Sequence, residues 1–141
     1  MTGWMLDTNV LSELRRPRPA QKVIAFIRGL PLSQLFVSEV TFAEIRFGIE
    51  QLGDLKRRAE IRLWLQNQLR PMFQNRVLPI SEDVLVQWRL IIEQGRKAGH
   101  TFSHPDVLIA ATAAHNGLSV VTRDTTDFLA AGIKTINPWQ S

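Results

Sequence analysis

The sequence contains no cysteine. That excludes disulfides, thiolate metal sites and a cysteine nucleophile, and it fits a cytoplasmic setting. There is no apolar run near the roughly 18 residues that a membrane span requires, so no membrane partner is expected. The amino-terminal residues also lack the basic-then-apolar pattern of a secretory signal. No internal repeat, low-complexity tract or linker breaks the chain, and 141 residues suit one domain, taken as residues 1–141, with room for a proper core. Net charge is modest, with 17 basic and 13 acidic residues leaving +4. If several of those acids face one another in a pocket, the remaining surface is a basic body around an acidic hole, which suits a polyanion outside and a cation inside.

Short apolar runs alternate with helical patterns. Trp4 to Leu6, Leu35 to Val37, Arg76 to Ile80, Leu118 to Thr122 and Lys134 to Ile136 read as strands. Pro79 makes the third an edge strand or an early-ending one. Helices are expected over Val10 to Leu14, Ala20 to Arg28, Glu39 to Leu52, Asp54 to about Leu69 with Pro71 ending it, Ser81 to about Ala98, Pro105 to Asn116, and Asp127 to Ala131. Ser38 and Ser81 are natural N-caps. The segment from Val107 to Ala114 is apolar nearly all round, which predicts a deeply buried helix. Strands alternating with helices imply a single-domain, three-layer α/β/α fold around a parallel sheet of four to five strands.

Four acids then fall on one edge of that sheet. Asp7 and Asp124 lie just past the ends of the first and fourth strands, while Glu44 and Asp106 lie in the first two turns of helices starting at the same edge. Singly, each has an ordinary explanation. Asp7 is a helix N-cap, Glu44 an internal salt-bridge partner of a base such as Arg46 or Arg15, Asp106 a dipole partner, and Asp124 a turn residue. Asp127, just before Phe128 and Leu129, looks like an N-cap and ranks below Asp124 as a ligand. Together, unneutralised carboxylates would repel and raise one another's pKa values. A hard divalent cation removes the conflict, and Mg2+ or Mn2+ suits carboxylates completed by water and phosphate. Such a site activates water against a phosphodiester.

Met5-Leu6-Asp7-Thr8-Asn9-Val10-Leu11, Ser38-Glu39-Val40-Thr41 with Glu44-Ile45, Pro105-Asp106-Val107-Leu108-Ile109-Ala110-Ala111, and Val121-Thr122-Arg123-Asp124 with Asp127-Phe128 together resemble a PIN domain. The similarity is to the VapC/FitB-type toxins of bacterial toxin–antitoxin pairs, and it spans nearly the whole chain. It implies a metal-dependent ribonuclease using Mg2+ or Mn2+, whose acids correspond to Asp7, Glu44, Asp106 and Asp124. It also implies Asp127 as an outer acid, and Thr8, Asn9, Ser38 and Thr122 as hydrogen-bonding residues near the metal. A homodimer is implied too, as is a cognate antitoxin protein that inserts a basic side chain into the acidic pocket, with DNA contacted only through that antitoxin. The His104-Pro105 lead-in departs from the small residues expected there.

Arg15, Arg16, Arg18 and Lys22 follow the Asp7 loop, and Arg96 and Lys97 precede the Asp106 loop. Either cluster can grip the phosphates of an RNA substrate or form a solvated helix face. His100 and His104 sit in a stretch bracketed by Gly99 and Pro105, read as a loop contacting solvent or RNA. Trp64 and Trp88 fall on apolar helix faces, and Trp139 is free to cover the sheet edge. A rival reading keeps the acidic pocket but not the chemistry: a non-catalytic binding module whose acids hold a partner's Arg or Lys within a nucleic-acid-binding complex. A phosphoacceptor domain would want an Asp at the third strand's end, where Ile80-Ser81 stands instead.

Overall fold

The computed structural model describes residues 3–140. Its strands are β1 (Trp4–Leu6), β2 (Leu35–Ser38), β3 (Val77–Leu78), β4 (Ser119–Val121) and β5 (Thr135–Ile136). They form one five-stranded, all-parallel sheet in the order β3-β2-β1-β4-β5. β3 lies at an edge and stops before Pro79, since proline cannot donate to the ladder.

The helices are α1 (Thr8–Arg15), α2 (Gln21–Arg28), α3 (Glu39–Glu50), α4 (Leu55–Trp64), α5 (Arg70–Met72), α6 (Glu82–Ala98), α7 (His104–Asn116) and α8 (Thr126–Ala130). Successive strand residues point to opposite faces, and both faces are covered. Met5 and Val120 enter one apolar layer with Val84, Ile91, Ile109 and Phe128. Leu6 and Val121 enter the other with Leu11, Phe42, Leu65 and Phe73. Burial on both sides is why these strands read as unbroken apolar runs. α7 contributes Val107 and Ile109 to Ala113 to the interior, as its sequence predicts.

Local chemistry sets most of the boundaries. Ser38 Oγ accepts the Val40 N–H at 3.1 Å, Ser81 Oγ accepts the Val84 N–H at 3.3 Å, and Asp54 Oδ1 accepts the N–H groups of Lys56 and Arg57. Gly99 and Gly117 close α6 and α7 in the left-handed conformation, with φ of 76° and 66°. Several boundaries differ from expectation, among them α3, which ends at Glu50 and not Leu52, and α8, which starts at Thr126 and ends at Ala130. α1 begins at Thr8 because Asp7 itself caps it. α7 begins at His104, placing Pro105 one position inside. The helix after Asp54 runs past Pro71 to Met72. The ring of Pro71 would crowd the carbonyl four residues back in a regular helix. Here a wide turn over Leu65–Leu69, with the Arg70 N–H donating to the Leu65 carbonyl, precedes it.

The strand order runs outward from β1 to β2 and β3 on one side, and to β4 and β5 on the other. The direction of winding reverses between β1 and β4, where ligands bind at the carboxyl ends of open parallel sheets.

Gly95, inside α6, offers a stability test. In a helix interior, alanine would ordinarily gain up to about 1 kcal/mol over glycine. A Cβ on Gly95, however, would collide with the Phe102 ring and stand 3.0 Å from the His100 carbonyl oxygen. Overpacking of this kind costs roughly 1–3 kcal/mol, so the clash outweighs the propensity. Gly95→Ala should lower the thermal midpoint by calorimetry; a raised midpoint would mean the 99–103 loop is not packed on α6 as described.

Candidate functional site

β1 delivers Asp7 to the switch point, and α1 starts there. The carboxylate of Asp7, 4% exposed, accepts the Thr8 N–H on Oδ1 at 2.8 Å and the Thr122 hydroxyl on Oδ2 at 2.7 Å. Thr122 follows β4, so that second bond joins the ends of two neighbouring strands. Asn9 strengthens the join: its amide N–H group donates to Thr122 Oγ1 at 3.2 Å, and its Oδ1 accepts the Arg123 N–H at 3.2 Å. The Asp124 N–H donates to Thr122 Oγ1 at 3.1 Å, fixing the turn that carries Asp124. From α3, Glu44 Oε1 accepts the Thr8 hydroxyl at 2.8 Å. Asp106 sits in the first turn of α7.

Asp7, Glu44, Asp106 and Asp124 line one cleft of about 380 Å³, together with Thr8, Asn9, Ser12, Glu13, Arg16, Arg123 and Trp139. Burial pushes the Asp7 carboxyl above its ordinary pKa despite the Thr122 and Thr8 bonds, with Asp124's charge adding to the rise. Burial also raises Glu44, against the Thr8 hydroxyl and with the help of Asp7. Asp106 is pushed to about 7, first by burial and then by the charge of Asp7. No ion pair joins any of the four to a base among the described residues. The salt-bridge explanation for Glu44 therefore fails: Arg46 and Arg15 do not reach it, and its partner is neutral Thr8.

The four acids share a space but not a ready-made cage. No group of three or more His, Asp or Glu side chains among the described residues is already arranged to hold a metal ion. Carboxylates without a counter-charge stand apart because they repel. The donors are all hard oxygens and the cleft has room for several waters at about 30 Å³ each. That combination suits a hard divalent cation keeping part of its hydration shell. It does not suit an ion bound dry by three carboxylates.

The other expected residues divide. Thr8 and Asn9 line the cleft, and Thr122 supports it from beneath. Ser38 is fully buried and spends its hydroxyl capping α3, so it positions the helix of Glu44 rather than lining the cleft. Asp127 does not cap α8; Thr125 holds that position. Asp127 Oδ1 lies 2.8 Å from His100 Nε2, and Oδ2 accepts the Ser103 N–H at 3.1 Å. Burial opposes its ionisation, but the Ser103 N–H and His100 outweigh that and hold its pKa low. Its charge raises Asp106, and its bonds anchor the loop leading into α7. His100 is thus tied into the protein, whereas His104 begins α7 and is exposed.

Of the basic clusters, only Arg16 reaches the acidic cleft, where it pairs with Glu13 at 3.6 Å. Arg15 lines an adjoining groove that also contains Thr8, Ser12 and Glu44. Arg18 and Lys97 are exposed, and Arg96 pairs with Glu93 on its own helix. Trp139, free by its sequence position to cover the sheet edge, lines the cleft, and so does Arg123, which the sequence pattern did not single out as a site residue. Arg123 stands between two residues of interest, but nothing local links it to a tryptophan near the carboxyl terminus.

A family model described as the PIN domain matches residues 4–133. Toxin FitB of Neisseria gonorrhoeae is 37% identical over 135 residues, covering 96% of this chain and 97% of that protein. VapC ribonuclease Y4jK of Sinorhizobium fredii is 38% identical over 136 residues, covering 96% and 97%. The crystal structure of FitAcB from Neisseria gonorrhoeae superposes with a TM-score of 0.93 at 36% identity, over 98% of this chain and 99% of that one. With the fold, the edge-sharing acids and these matches spanning almost its whole length, the chain belongs to the PIN domain family.

Proposed function

We propose that this chain is a Mg2+- or Mn2+-dependent endoribonuclease acting as the toxin of a cytoplasmic toxin–antitoxin pair. One observation carries the proposal. Asp7, Glu44, Asp106 and Asp124, drawn from both halves of the chain, line a single cleft at the sheet's switch point, and no base among the described residues neutralises them. Two relatives, one a toxin and one a ribonuclease by name, support the same reading.

Asp7, Glu44, Asp106 and Asp124 would hold the ion, Asp124 from the exposed side. When bound, the ion supplies a Lewis acid that makes water nucleophilic and offsets charge on the phosphodiester. The protein's own contribution is orientation. Thr122 and the Thr8 N–H lock Asp7, and the Thr8 hydroxyl locks Glu44. The Asn9 bridge holds the Asp124 turn to α1. No serine–histidine pair is needed as nucleophile. The proposal includes a homodimer, and an antitoxin that sets a basic side chain among the acids and alone contacts DNA.

Asp7→Asn and Glu44→Gln, purified and shown to fold by circular dichroism, should each lose at least a hundredfold in Mn2+-dependent RNA cleavage. Retained cleavage in both would end the nuclease reading. RNA binding with no metal-dependent cleavage by the unaltered chain would favour a binding module.

A pH test follows from the raised carboxyls. A group whose folded pKa lies above its unfolded value stabilises the fold at low pH and loses that contribution as pH rises through the folded value. For Asp106 the window runs from its ordinary 3.8 to about 7. In chelator, the thermal midpoint of the unaltered chain should fall between pH 5 and 8 more than that of Asp106→Asn. Adding Mn2+ at pH 8 should restore the first and not the second. Parallel profiles in chelator would mean that the Asp106 carboxyl is not raised, and equal recovery of both chains on adding Mn2+ would count against an ion at Asp106.

A further inference from the structure

Two guanidinium groups line the acidic cleft. Arg16 is tied to Glu13, a carboxylate 5% exposed that also accepts the Ala20 N–H at 2.9 Å. Arg123 is held differently. Its guanidinium carbon lies 5.1 Å from the centroid of the Trp139 ring, and it pairs with no carboxylate among the described residues. Yet four carboxylates without basic partners among the described residues line the same cleft. A long flexible cation beside such groups would ordinarily close on them.

The restraint is built from several pieces. The Arg123 N–H donates to Asn9 Oδ1 at 3.2 Å, and the Arg123 carbonyl accepts from Asn137 Nδ2 at 3.4 Å. Asn137 Oδ1 in turn accepts the Trp139 N–H at 2.9 Å. One asparagine side chain therefore ties the arginine's backbone to the tryptophan's. The indole also packs against the apolar layer containing Leu6 and Val121, which limits its movement. A guanidinium lying over an aromatic face keeps its N–H edges available, and those edges match a phosphate's oxygens.

We propose that Arg123 positions the substrate, held over Trp139 so that its guanidinium meets a phosphate of single-stranded RNA at the rim of the cleft and stays off the carboxylates inside. The identity of the anion as RNA rests on the nuclease reading. Arg123 is the contact residue. Trp139 acts through it and is a positioning residue.

The test measures equilibrium binding of a fluorescent single-stranded RNA oligonucleotide by the full chain carrying Asp7→Asn, in Mg2+, across a salt series. Adding Arg123→Gln should weaken binding roughly tenfold, as loss of a hydrogen bond to a charged group does. It should also flatten the slope of log affinity against log salt by about 0.7, one phosphate contact on a single strand. Trp139→Phe keeps an aromatic face and should change little. Trp139→Ala should weaken binding severalfold, and Trp139→Ala with Arg123→Gln should bind no more weakly than Arg123→Gln alone. An unchanged salt slope in Arg123→Gln would overturn the proposal, as would no measurable binding by the Asp7→Asn chain. Full additivity of the two losses would overturn it as well, since the ring would then be stacking a base by itself. An error in the nuclease reading appears separately, as absence of Mn2+-dependent cleavage by the unaltered chain.

Discussion

The bond from the Thr122 hydroxyl to Asp7 Oδ2, 2.7 Å long and fully buried on the threonine side, is the contact on which the site depends. It crosses the switch point, where β1 and β4 run side by side and their following loops turn apart. Without it the Asp7 carboxylate would be buried with only the Thr8 N–H and a long 3.4 Å bond from the Asn9 amide, and burial of a charge with few partners is costly. With it, the same hydroxyl oxygen also accepts the Asp124 N–H, so one side chain sets both acids. Asn9 closes the arrangement by reaching Thr122 and the Arg123 backbone. The cleft floor is a hydrogen-bonded unit, and Glu44 joins its wall through Thr8.

Much of this was legible in the sequence because it follows from where strands stop. Asp7 and Asp124 declare themselves as acids one to three residues past apolar runs, and parallel alternation puts all strand ends on one edge. Glu44 and Asp106 follow from helices starting at that edge. The five-stranded sheet and the edge position of β3 follow from the same patterning and from Pro79. Other features depended on three-dimensional competition. Pro71 reads as a helix end, but the wide turn before it lets the helix continue. Asp127 has the local signature of an N-cap; the tertiary alternative, two donors from the 99–103 loop, won instead. Arg123 and Trp139 meet only because β5 returns the chain beside β4. No periodicity records that meeting.

The distribution of arginines explains why the cleft keeps its charge. The chain carries a net +4, so bases are not scarce, yet those that pair do so with acids other than these four. Arg16 is occupied by Glu13, Arg58 and Arg62 by Glu50, and Arg96 by Glu93. Those last three pairs are on exposed surface, where each contributes little to stability. The desolvated acids, where a counter-charge would matter most, have none among the described residues. A sequence selected only for stability would place a cation there, and unrelieved repulsion is characteristic of a site kept for a function.

That pattern also bears on the choice between a nuclease and a pocket that merely holds a basic side chain. A pocket evolved to receive a partner's guanidinium as its sole ligand would gain nothing from an arginine of its own at the rim, because like charges would compete for the same space. A site meant for a divalent ion and an anionic strand gains from both charges at once: acids to hold the ion, and a base at the edge to hold the strand. Arg123 lying on Trp139, beside four carboxylates that have no basic partner among the described residues, fits the second design. The cleft is therefore bipolar by construction, acidic where the sheet ends and basic where the carboxyl-terminal segment crosses it. On the proposed reading, an antitoxin's basic side chain reaching the acids would take the place of the ion.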